Sequence, residues 1–352
     1  QQQNLLKNQK KLKKPTATYK KVLNLNSLSK KDIIDSNQTA FEKTVKQGQM
    51  NNPWFTDQNI KTNLTYWAKI LNKKYLAQWM SNYDTKYVNK KNIAIIMAGN
   101  IPLVGFHDFL CVFLAGHKSI IKLSSNDKHI LPFLTSLLIS KNINISEDIV
   151  YLDGMLKNYD GVIATGSNNT SRYFDYYFKN KKSIIRKNRN SIAVLDGTEN
   201  ENELSLLGND IFTYFGLGCR NVSKLYVPKN YSFDSFYNSI FKRSDLINNH
   251  KYANNYDYNK AIYLMSEYKF LDNGFFMIKE GNDLHSPIST INYEFYDDIS
   301  ILKDSITKQE KEIQCIVSKL KIENKVDFGE TQNPSLNQYA DNIDVMSFLL
   351  TI

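Results

Sequence analysis

The sequence predicts an α/β protein whose central part is a parallel sheet with helices between its strands, followed by a second α/β region. Short β-branched runs alternate with helical stretches after Lys91, which is typical of βαβ units. Pro102 and Gly116 bracket one apolar stretch as the two ends of a helix do. With 352 residues, 42% of them hydrophobic, the chain can bury the core of one large or two medium domains.

Residues 1–90 are predicted to form a helical lead-in that packs on the sheet. Their apolar residues are spaced as on amphipathic helices, for example at Trp54, Trp67 and Leu71, among lysine and asparagine. The segment 1–21 is polar and lysine-rich, and no run in the sequence approaches the ~20 apolar residues of a membrane helix. We therefore expect no membrane span.

Residues 91–210, with a return segment 326–352, are predicted to form the first α/β domain, and residues 211–325 the second. The strands of the first are expected at 93–97, 119–122, 148–152, 162–164 and 192–195. After the second of these, Ser124 and Ser125 are candidate caps for another helix. No linker rich in Pro, Gly or Ser divides the two regions, so we expect interlocked domains.

The formal charge of +10 raises the question of an anionic partner. Only five of the 45 basic residues are arginine, whereas nucleic-acid readers use the guanidinium fork for bidentate contacts with bases. We therefore expect no nucleic-acid partner. Four of the arginines lie between residues 172 and 220, which marks this stretch for function.

Cys219 is the candidate nucleophile. It follows Gly216 and Gly218, which let the backbone approach a ligand closely, and precedes Arg220, whose charge would favour the thiolate. The alternative for a lone cysteine is a small core residue, which is our interpretation of Cys111 in its apolar helix. Three cysteines at spacings that fit neither a disulfide framework nor a zinc site predict a cytoplasmic protein without a metal.

Two common kinds of site are not predicted. No histidine has a clear place beside Cys219 in the sequence, so a hydrolytic cysteine and histidine pair cannot be argued. The Gly-x-Gly-x-x-Gly fingerprint and the Gly-Lys-Ser/Thr phosphate loop are also missing from the sequence. A bound nucleotide would therefore be held by another arrangement.

Four segments in the same order and spacing resemble the aldehyde dehydrogenase superfamily over about two thirds of the chain. Residues 98–103 are similar to its Asn-Phe-Pro-Leu turn and residues 121–125 to its Lys-Pro-Ser-Glu strand end. Residues 164–167 resemble the Thr-Gly-Ser turn beside the dinucleotide, and 218–219 the nucleophile loop. The resemblance implies an aldehyde dehydrogenase-like fold, with a Rossmann-type nucleotide-binding domain first and an α/β catalytic domain after it.

A narrower resemblance is to the fatty acyl-CoA reductases known from bacterial luminescence. It is carried by the segments 165–174, 185–191, 218–221 and 328–341. It implies reduction of a fatty acyl thioester, held on CoA or a carrier, to the aldehyde through an acyl-enzyme on Cys219. An acyl-transferring partner protein and a homo-oligomer are further expectations from these relatives.

The resemblance also assigns the reacting groups. Asn100 matches the asparagine whose amide forms the oxyanion hole with the backbone N–H of Cys219, although a turn residue before Pro102 is the alternative. Where hydrolytic members carry Glu-Leu-Gly-Gly, residues 186–189 read Arg-Lys-Asn-Arg, so the glutamate that activates water is missing. The two arginines could hold a CoA phosphate or form structural salt bridges.

The cofactor predicted from the resemblance is NADP(H). Lys122 matches the lysine at the adenine ribose, and Ser125 replaces a glutamate, which removes repulsion against a 2′-phosphate. Gly166 and Ser167 are predicted to lie against the pyrophosphate at a helix start. Glu312 is predicted to hold the nicotinamide ribose. The alternatives are a solvated Lys122, Ser125 as a plain helix cap and a solvated Glu312 carboxylate.

Two other functions stay open at this point. A cysteine-dependent acyltransferase or thioesterase would use Cys219 but bind no dinucleotide. A basic nucleic-acid-binding module would bind in a salt-sensitive way, and the scarcity of arginine argues against it.

Overall fold

The computed structural model describes residues 38–86 and 88–352, so the part of the predicted lead-in before residue 38 lies outside the described residues. The helices are α1 (Gln38–Asn51), α2 (Asp57–Ile70), α3 (Lys73–Met80), α4 (Phe106–Ala115), α5 (Ile130–Lys141), α6 (Asn168–Tyr177), α7 (Glu201–Phe212), α8 (Asp234–Ile240), α9 (His250–Met265), α10 (Ile299–Lys308) and α11 (Val345–Leu350). The strands are β1 (Asn92–Ile96), β2 (Lys118–Lys122), β3 (Ile149–Tyr151), β4 (Gly161–Thr165), β5 (Lys182–Arg186), β6 (Asn190–Val194), β7 (Val222–Pro228), β8 (Phe270–Asp272), β9 (Met277–Glu280), β10 (Thr290–Tyr296), β11 (Ile313–Val317) and β12 (Lys325–Val326).

The described residues divide into two compact units. Unit 1 comprises the residues up to 52 with 60–186 and 343–352, and unit 2 comprises 53–59 with 187–342. The division differs from the predicted boundary at residue 210, because β6 pairs with β7 and β11 of the second sheet. The run 192–195 is a strand, as predicted, but it belongs to unit 2.

The sheet of unit 1 has the strand order β3-β2-β1-β4-β5, with every pair parallel. The chain places strands first to one side of β1 and then to the other, so the carboxyl ends of β1 and β4 form a topological switch point. In the register, Ile96 lies opposite both Lys122 and Ala164. The ends of β1, β2 and β4 therefore meet at one edge of the sheet.

Two helix starts in unit 1 differ from the sequence predictions. Pro102 does not open α4, which begins at Phe106, because Leu103 has a positive φ of 56° and breaks the helical path. Ser124 and Ser125 do not cap α5, whose N-cap is His129. The Ser124 carbonyl instead accepts the Asp127 N–H at 3.1 Å in a separate turn.

The other end of α4 is as predicted. Gly116 ends the helix in the left-handed conformation, with a φ of 96°. The last helix, α11, packs against α4, and the His117 ring contacts the Leu349 carbonyl at 3.1 Å. Asp344 caps α11 through Ser347 N and accepts the Tyr83 hydroxyl at 3.0 Å. Residues 343–352 are therefore part of the core of unit 1.

Unit 2 has a seven-stranded sheet in the order β12-β11-β6-β7-β10-β9-β8, parallel except for β8 against β9. One face carries an apolar core with residues of α7 and α8, such as Leu207 and Phe236, and the other a cluster with Leu302 and Ile306 of α10. A capping box starts α7, because Asn200 and Glu203 exchange hydrogen bonds of 2.8 and 3.0 Å. This fixes the helix whose end leads into the loop of Cys219.

Candidate active site

The predicted site residues fall into two groups. Five of them lie in unit 1, where the ends of β1, β2 and β4 coincide: Lys122 is the last residue of β2, and Asn100, Ser125, Gly166 and Ser167 lie on the turns that follow. Cys219 and Glu312 lie in unit 2.

The turn that carries Asn100 is held at both ends by buried side chains. The Asn52 amide donates to the Gly99 carbonyl at 3.1 Å, and the Leu103 N–H donates to the Asp127 carboxylate at 2.8 Å. A side chain at Gly99 would clash, because a Cβ there would lie 2.6 Å from the Ser124 hydroxyl. The Asn100 side chain itself is exposed.

Asp127, which holds this turn from the neighbouring turn 124–127, is not indicated by any sequence pattern. It is 7% exposed, and burial raises the pKa of its carboxyl to about 6, against the opposing effect of the Leu103 N–H. Leu103 has the left-handed backbone that non-glycine residues rarely adopt, so its N–H needs a partner outside the regular helix pattern. Positive φ cannot be recognised at a leucine in one sequence, which explains why no pattern indicates Asp127.

The second turn of unit 1 begins α6. The Ser167 hydroxyl accepts the Thr170 N–H at 3.2 Å and so caps the helix, while Gly166 N donates to the Arg186 carbonyl at 3.2 Å. A Cβ at Gly166 would lie 3.0 to 3.1 Å from Phe174 and Thr170, which leaves little room for a side chain. Ser167 and the first residues of α6 are exposed. The turn thus presents a helix N-terminus at the sheet edge.

Lys122 and Ser125 lie at the neighbouring strand end. The Lys122 ammonium donates to the Gly154 carbonyl at 3.3 Å, and Ser125 is exposed. Since His129 is the N-cap of α5, the alternative role of Ser125 as a helix cap is wrong.

In unit 2, Cys219 is exposed, in a loop between α7 and β7. Near the start of this loop, three residues adopt left-handed backbone in succession: Tyr214 (φ 56°), Phe215 (φ 57°) and Gly216 (φ 77°). For the two aromatic residues this conformation costs roughly 1–2 kcal/mol each. Both are buried, and the Phe215 ring packs against Trp54 at 5.2 Å between centroids.

Asn221 fixes the loop of Cys219 to the end of α7. Its side-chain amide donates to the carbonyls of Asp210, Ile211 and Thr213 at 3.1, 3.3 and 2.8 Å. Its side-chain oxygen accepts the Gly218 N–H at 2.8 Å. Asn221 is 3% exposed, so these groups replace water that the folded loop excludes.

Arg220, whose charge is predicted to favour the Cys219 thiolate, makes its hydrogen bonds to other residues. Its guanidinium donates to Cys315 Sγ at 3.2 Å and to the Gln338 carbonyl at 3.1 Å. Burial raises the pKa of the Cys315 thiol, and the charge of Arg220 opposes that rise. Cys111 is fully buried within α4, so its interpretation as a core residue is confirmed.

The arginines that replace the hydrolytic glutamate segment form salt bridges. Arg186 pairs with Asp108 inside unit 1, where both side chains are more than nine-tenths buried. Arg189 contacts Asp341 at 3.0 Å and the Ile313 carbonyl at 3.4 Å. These contacts favour the structural alternative for the two arginines over a phosphate site.

Glu312 is exposed and ends a 3-10 turn immediately before β11. A cavity of about 350 Å³ lies beside β11, and Gln314 and Cys315 of that strand line it. Glu312 is not among the residues that line this cavity.

Within residues 38–86 and 88–352, no group of three His, Cys, Asp or Glu side chains is placed to hold a metal ion. The helices of this part of the chain are all too short or too polar to cross a bilayer.

Comparison with solved structures shows the aldehyde dehydrogenase fold. Aldehyde dehydrogenase 21 from Physcomitrella patens, solved with succinate, is 12% identical and has a TM-score of 0.67 over 96% of this chain and 84% of its own. An NADP-dependent enzyme from E. coli (12%, TM-score 0.62) covers 86% and 73%, and an aldehyde dehydrogenase from Mycobacterium tuberculosis with NAD+ (12%, 0.61) covers 86% and 74%. These likenesses confirm the predicted α/β architecture.

A comparison with curated protein sequences gives no match. The family profile of the acyl-CoA reductases (LuxC), in contrast, matches residues 17–275, well over half of the chain and including the loop of Cys219. With the fold and this match together, the chain belongs to the LuxC acyl-CoA reductase family and is an oxidoreductase that acts on acyl groups.

Proposed function

We propose that this chain reduces a fatty acyl thioester to the fatty aldehyde with NADPH, through an acyl-enzyme on Cys219. The observation that carries the proposal is an exposed cysteine in a hydrogen-bonded loop of a chain from the acyl-CoA reductase family. The other two cysteines are buried, so Cys219 is the accessible thiol among the described residues.

In the first step, the Cys219 thiolate attacks the carbonyl carbon of the thioester. The C–S bond to CoA or the carrier breaks, and the carrier leaves as a thiolate that takes up a proton. Negative charge develops on the carbonyl oxygen, and Asn100 with the Cys219 backbone N–H would stabilise it. The turn contacts of Gly99 and Leu103 would hold Asn100 in place without using its side chain.

The carboxyl edge of the unit 1 sheet fits a nicotinamide dinucleotide. A switch point, a close-packed glycine on each of two turns, and an exposed helix N-terminus at Ser167 are the features that hold a pyrophosphate. Lys122 would lie at the adenine ribose, and Gly166 and Ser167 at the pyrophosphate. When bound, the reduced nicotinamide supplies the hydride that converts the acyl group to the aldehyde.

NADPH is proposed over NADH because position 125 is an exposed serine, which does not repel a 2′-phosphate. The M. tuberculosis neighbour was solved with NAD+ and the E. coli neighbour is NADP-dependent, so the shared fold is compatible with either cofactor. Glu312 is proposed as the ligand of the nicotinamide ribose, and its exposure leaves the carboxylate accessible.

Slow hydrolysis is part of the proposal. Residues 186–189 hold no carboxylate, and both arginines there are engaged by Asp108 and Asp341. Without a base to activate water, the acyl-enzyme would persist until hydride or a thiol takes the acyl group. An acyl-transferring partner, a homo-oligomer and a cytoplasmic location remain predictions.

The test is the intact mass of the protein after mixing with a medium- or long-chain acyl-CoA without cofactor, followed by peptide mapping and addition of NADPH. We expect one acyl adduct on the Cys219 peptide, and its loss as aldehyde once NADPH is added. The Cys219→Ser variant should form no adduct, whereas Cys315→Ser, which removes a buried thiol of the same unit, should retain it. An adduct that NADPH leaves unchanged would instead indicate the acyltransferase alternative.

A further inference from the structure

The peptide between Gly218 and Cys219 is held in one orientation. The Gly218 carbonyl accepts the backbone N–H of Asn221 at 3.0 Å. The chain contains no cis peptide bond among the described residues, and in a planar trans peptide the N–H points opposite to the carbonyl. The Cys219 N–H therefore points away from Asn221.

The peptides on both sides of this one are also anchored by side chains. The Gly218 N–H donates to the Asn221 side-chain oxygen at 2.8 Å, and the Cys219 carbonyl accepts the Ser191 hydroxyl at 2.9 Å. Ser191 lies on β6 and is completely buried, so its hydroxyl is held within the sheet of unit 2. The nucleophile is thus fixed to the sheet on one side and to α7 on the other.

The left-handed turn explains why such anchors are needed. Tyr214 and Phe215 have strained, left-handed backbone. Such a conformation persists only where contacts with the surrounding structure hold it. Asn221 spans the turn, because its amide binds carbonyls that precede it, up to Thr213, while its oxygen binds Gly218 beyond it. One side chain therefore closes the loop around the strained residues.

We infer that Asn221 and Ser191 are positioning residues that aim the Cys219 backbone N–H at the developing oxyanion of the acyl donor. The inference rests on the proposed role of Cys219 as nucleophile. In this role, the two buried side chains contribute to the stabilisation of the tetrahedral intermediate without touching the substrate. An N–H donor that is turned away from its target loses most of its effect on this step.

The test compares two reactions of the same thiol. Attack on p-nitrophenyl hexanoate passes through an oxyanion and releases p-nitrophenolate as the C–O bond breaks. Alkylation by iodoacetamide displaces iodide and develops no oxyanion. Because the ester needs no CoA site, it also separates this inference from the proposed function: a protein that is acylated by the ester but by no acyl-CoA would refute only the latter.

We expect Asn221→Ala to slow acylation of Cys219 about 10–100-fold and Ser191→Ala about 5–10-fold, while alkylation changes less than about 3-fold. Asn259→Ala and Ser318→Ala are matched controls in unit 2: both remove buried donors to a backbone carbonyl, at 3.0 and 2.7 Å, away from this loop. They should leave both reactions within about 2-fold. Thermal unfolding checks that each variant is folded.

Three results would overturn the inference. The first is an equal fall of acylation and alkylation in the variants, which means a general loss of loop structure. The second is no change in acylation. The third is a wild-type thiol that alkylates but accepts neither acyl donor. If Asn221→Ala does not fold, the inference is tested by Ser191→Ala and by hydrogen exchange of the wild type. The backbone amides of Gly218 and Asn221 should exchange slowly, and fast exchange would contradict their hydrogen bonds.

Discussion

The two units prepare their functional residues in different ways. In unit 1, the proposed cofactor residues follow strand ends, so the register of β1, β2 and β4 alone brings them to one edge. In unit 2, Cys219 precedes its strand, β7, and depends on side-chain hydrogen bonds from Asn221 and Ser191. The comparison shows that strand register brings the proposed cofactor residues to one edge, whereas the orientation of the Cys219 loop depends on side chains from other elements.

The largest effect is expected at Cys219 itself. Cys219→Ser keeps the size of the side chain but lacks a thiolate, so turnover with acyl-CoA and NADPH should fall at least about 1,000-fold. NADPH affinity, measured by fluorescence titration, should stay within about 2-fold because the proposed cofactor residues lie in unit 1. A variant that loses cofactor affinity together with turnover would contradict the division of roles between the units.

The next effect concerns the stability of unit 1. Asp108→Ala leaves the charge of Arg186 buried without its partner, so the free energy of unfolding should fall by about 3–5 kcal/mol. Denaturant unfolding followed by circular dichroism measures this change. Asp297→Ala is the control, because it breaks the exposed pair with Lys229 and should leave the midpoint nearly unchanged. Equal midpoints for the two variants would refute a buried pair.

A substitution of Asn100 tests whether unit 1 contributes a reacting group in addition to the proposed cofactor residues. Removing an oxyanion donor costs about 100- to 1,000-fold in rate, so Asn100→Ala should slow acyl-enzyme formation by that factor, as measured by rapid-quench mass spectrometry. Iodoacetamide alkylation of Cys219 should be unchanged. A full acylation rate in Asn100→Ala would assign Asn100 to the turn alone.

The pH dependence of stability allows a buried carboxyl of each unit to be compared. Asp127 in unit 1 and Asp210 in unit 2 both have pKa values raised by burial to about 6. Because the folded state holds these protons more tightly than the unfolded state, stability should fall as the pH rises from about 4 to about 6. Asp127→Asn should reduce this pH-dependent loss of unfolding free energy by on the order of 2–3 kcal/mol, and Asp210→Asn should reduce it by a similar amount.

Urea unfolding at about pH 4 and about pH 7 measures this slope. Hydrogen exchange of peptides from each unit shows which unit responds to which substitution. A slope that neither substitution changes would mean that other groups set it.

The smallest effect is expected in the choice of cofactor. Ser125→Glu adds a carboxylate where the 2′-phosphate of NADPH is proposed to lie, and should weaken NADPH about 10-fold while NADH is unaffected or improved. The ratio of kcat/KM for the two cofactors measures this. Ser183→Glu, a change of the same kind on β5, is the control and should leave the ratio unchanged. An unchanged ratio in Ser125→Glu would move the specificity site elsewhere.

The sequence was sufficient for the parts of the fold that depend on repeated patterns. Four of the five predicted strands of the first sheet and the left-handed cap at Gly116 follow from β-branched runs and glycine placement. The strand β5 was not predicted, although its sequence, Lys-Ser-Ile-Ile-Arg, nearly repeats that of β2, which was. The prediction that β6 belongs to the first domain was wrong, because β6 pairs with β7 and β11 of the second sheet. Strand pairing between residues far apart in the chain leaves no local signal in the sequence.

The parts of the site that were missed depend on backbone conformation and distant partners. Nothing in the sequence indicates that the Arg220 guanidinium contacts Cys315, 95 positions along the chain. The strained turn at Tyr214 and Phe215 occurs at residue types that rarely adopt it, so composition gives no warning. Asn221 stood within a recognised motif, yet its three acceptors and its one donor are identified only once α7 is in place.

The return of residues 343–352 to unit 1 has a consequence for synthesis on the ribosome. The strands of unit 1 emerge first, but α11, which packs on α4, emerges only after all of residues 187–342. The Leu349 carbonyl and the Asp344 carboxylate therefore reach His117 and Tyr83 late. During that interval the apolar face of α4 lacks its cover, so the first unit made is the last to be completed, and a chaperone that binds exposed apolar helices would act on it in the meantime.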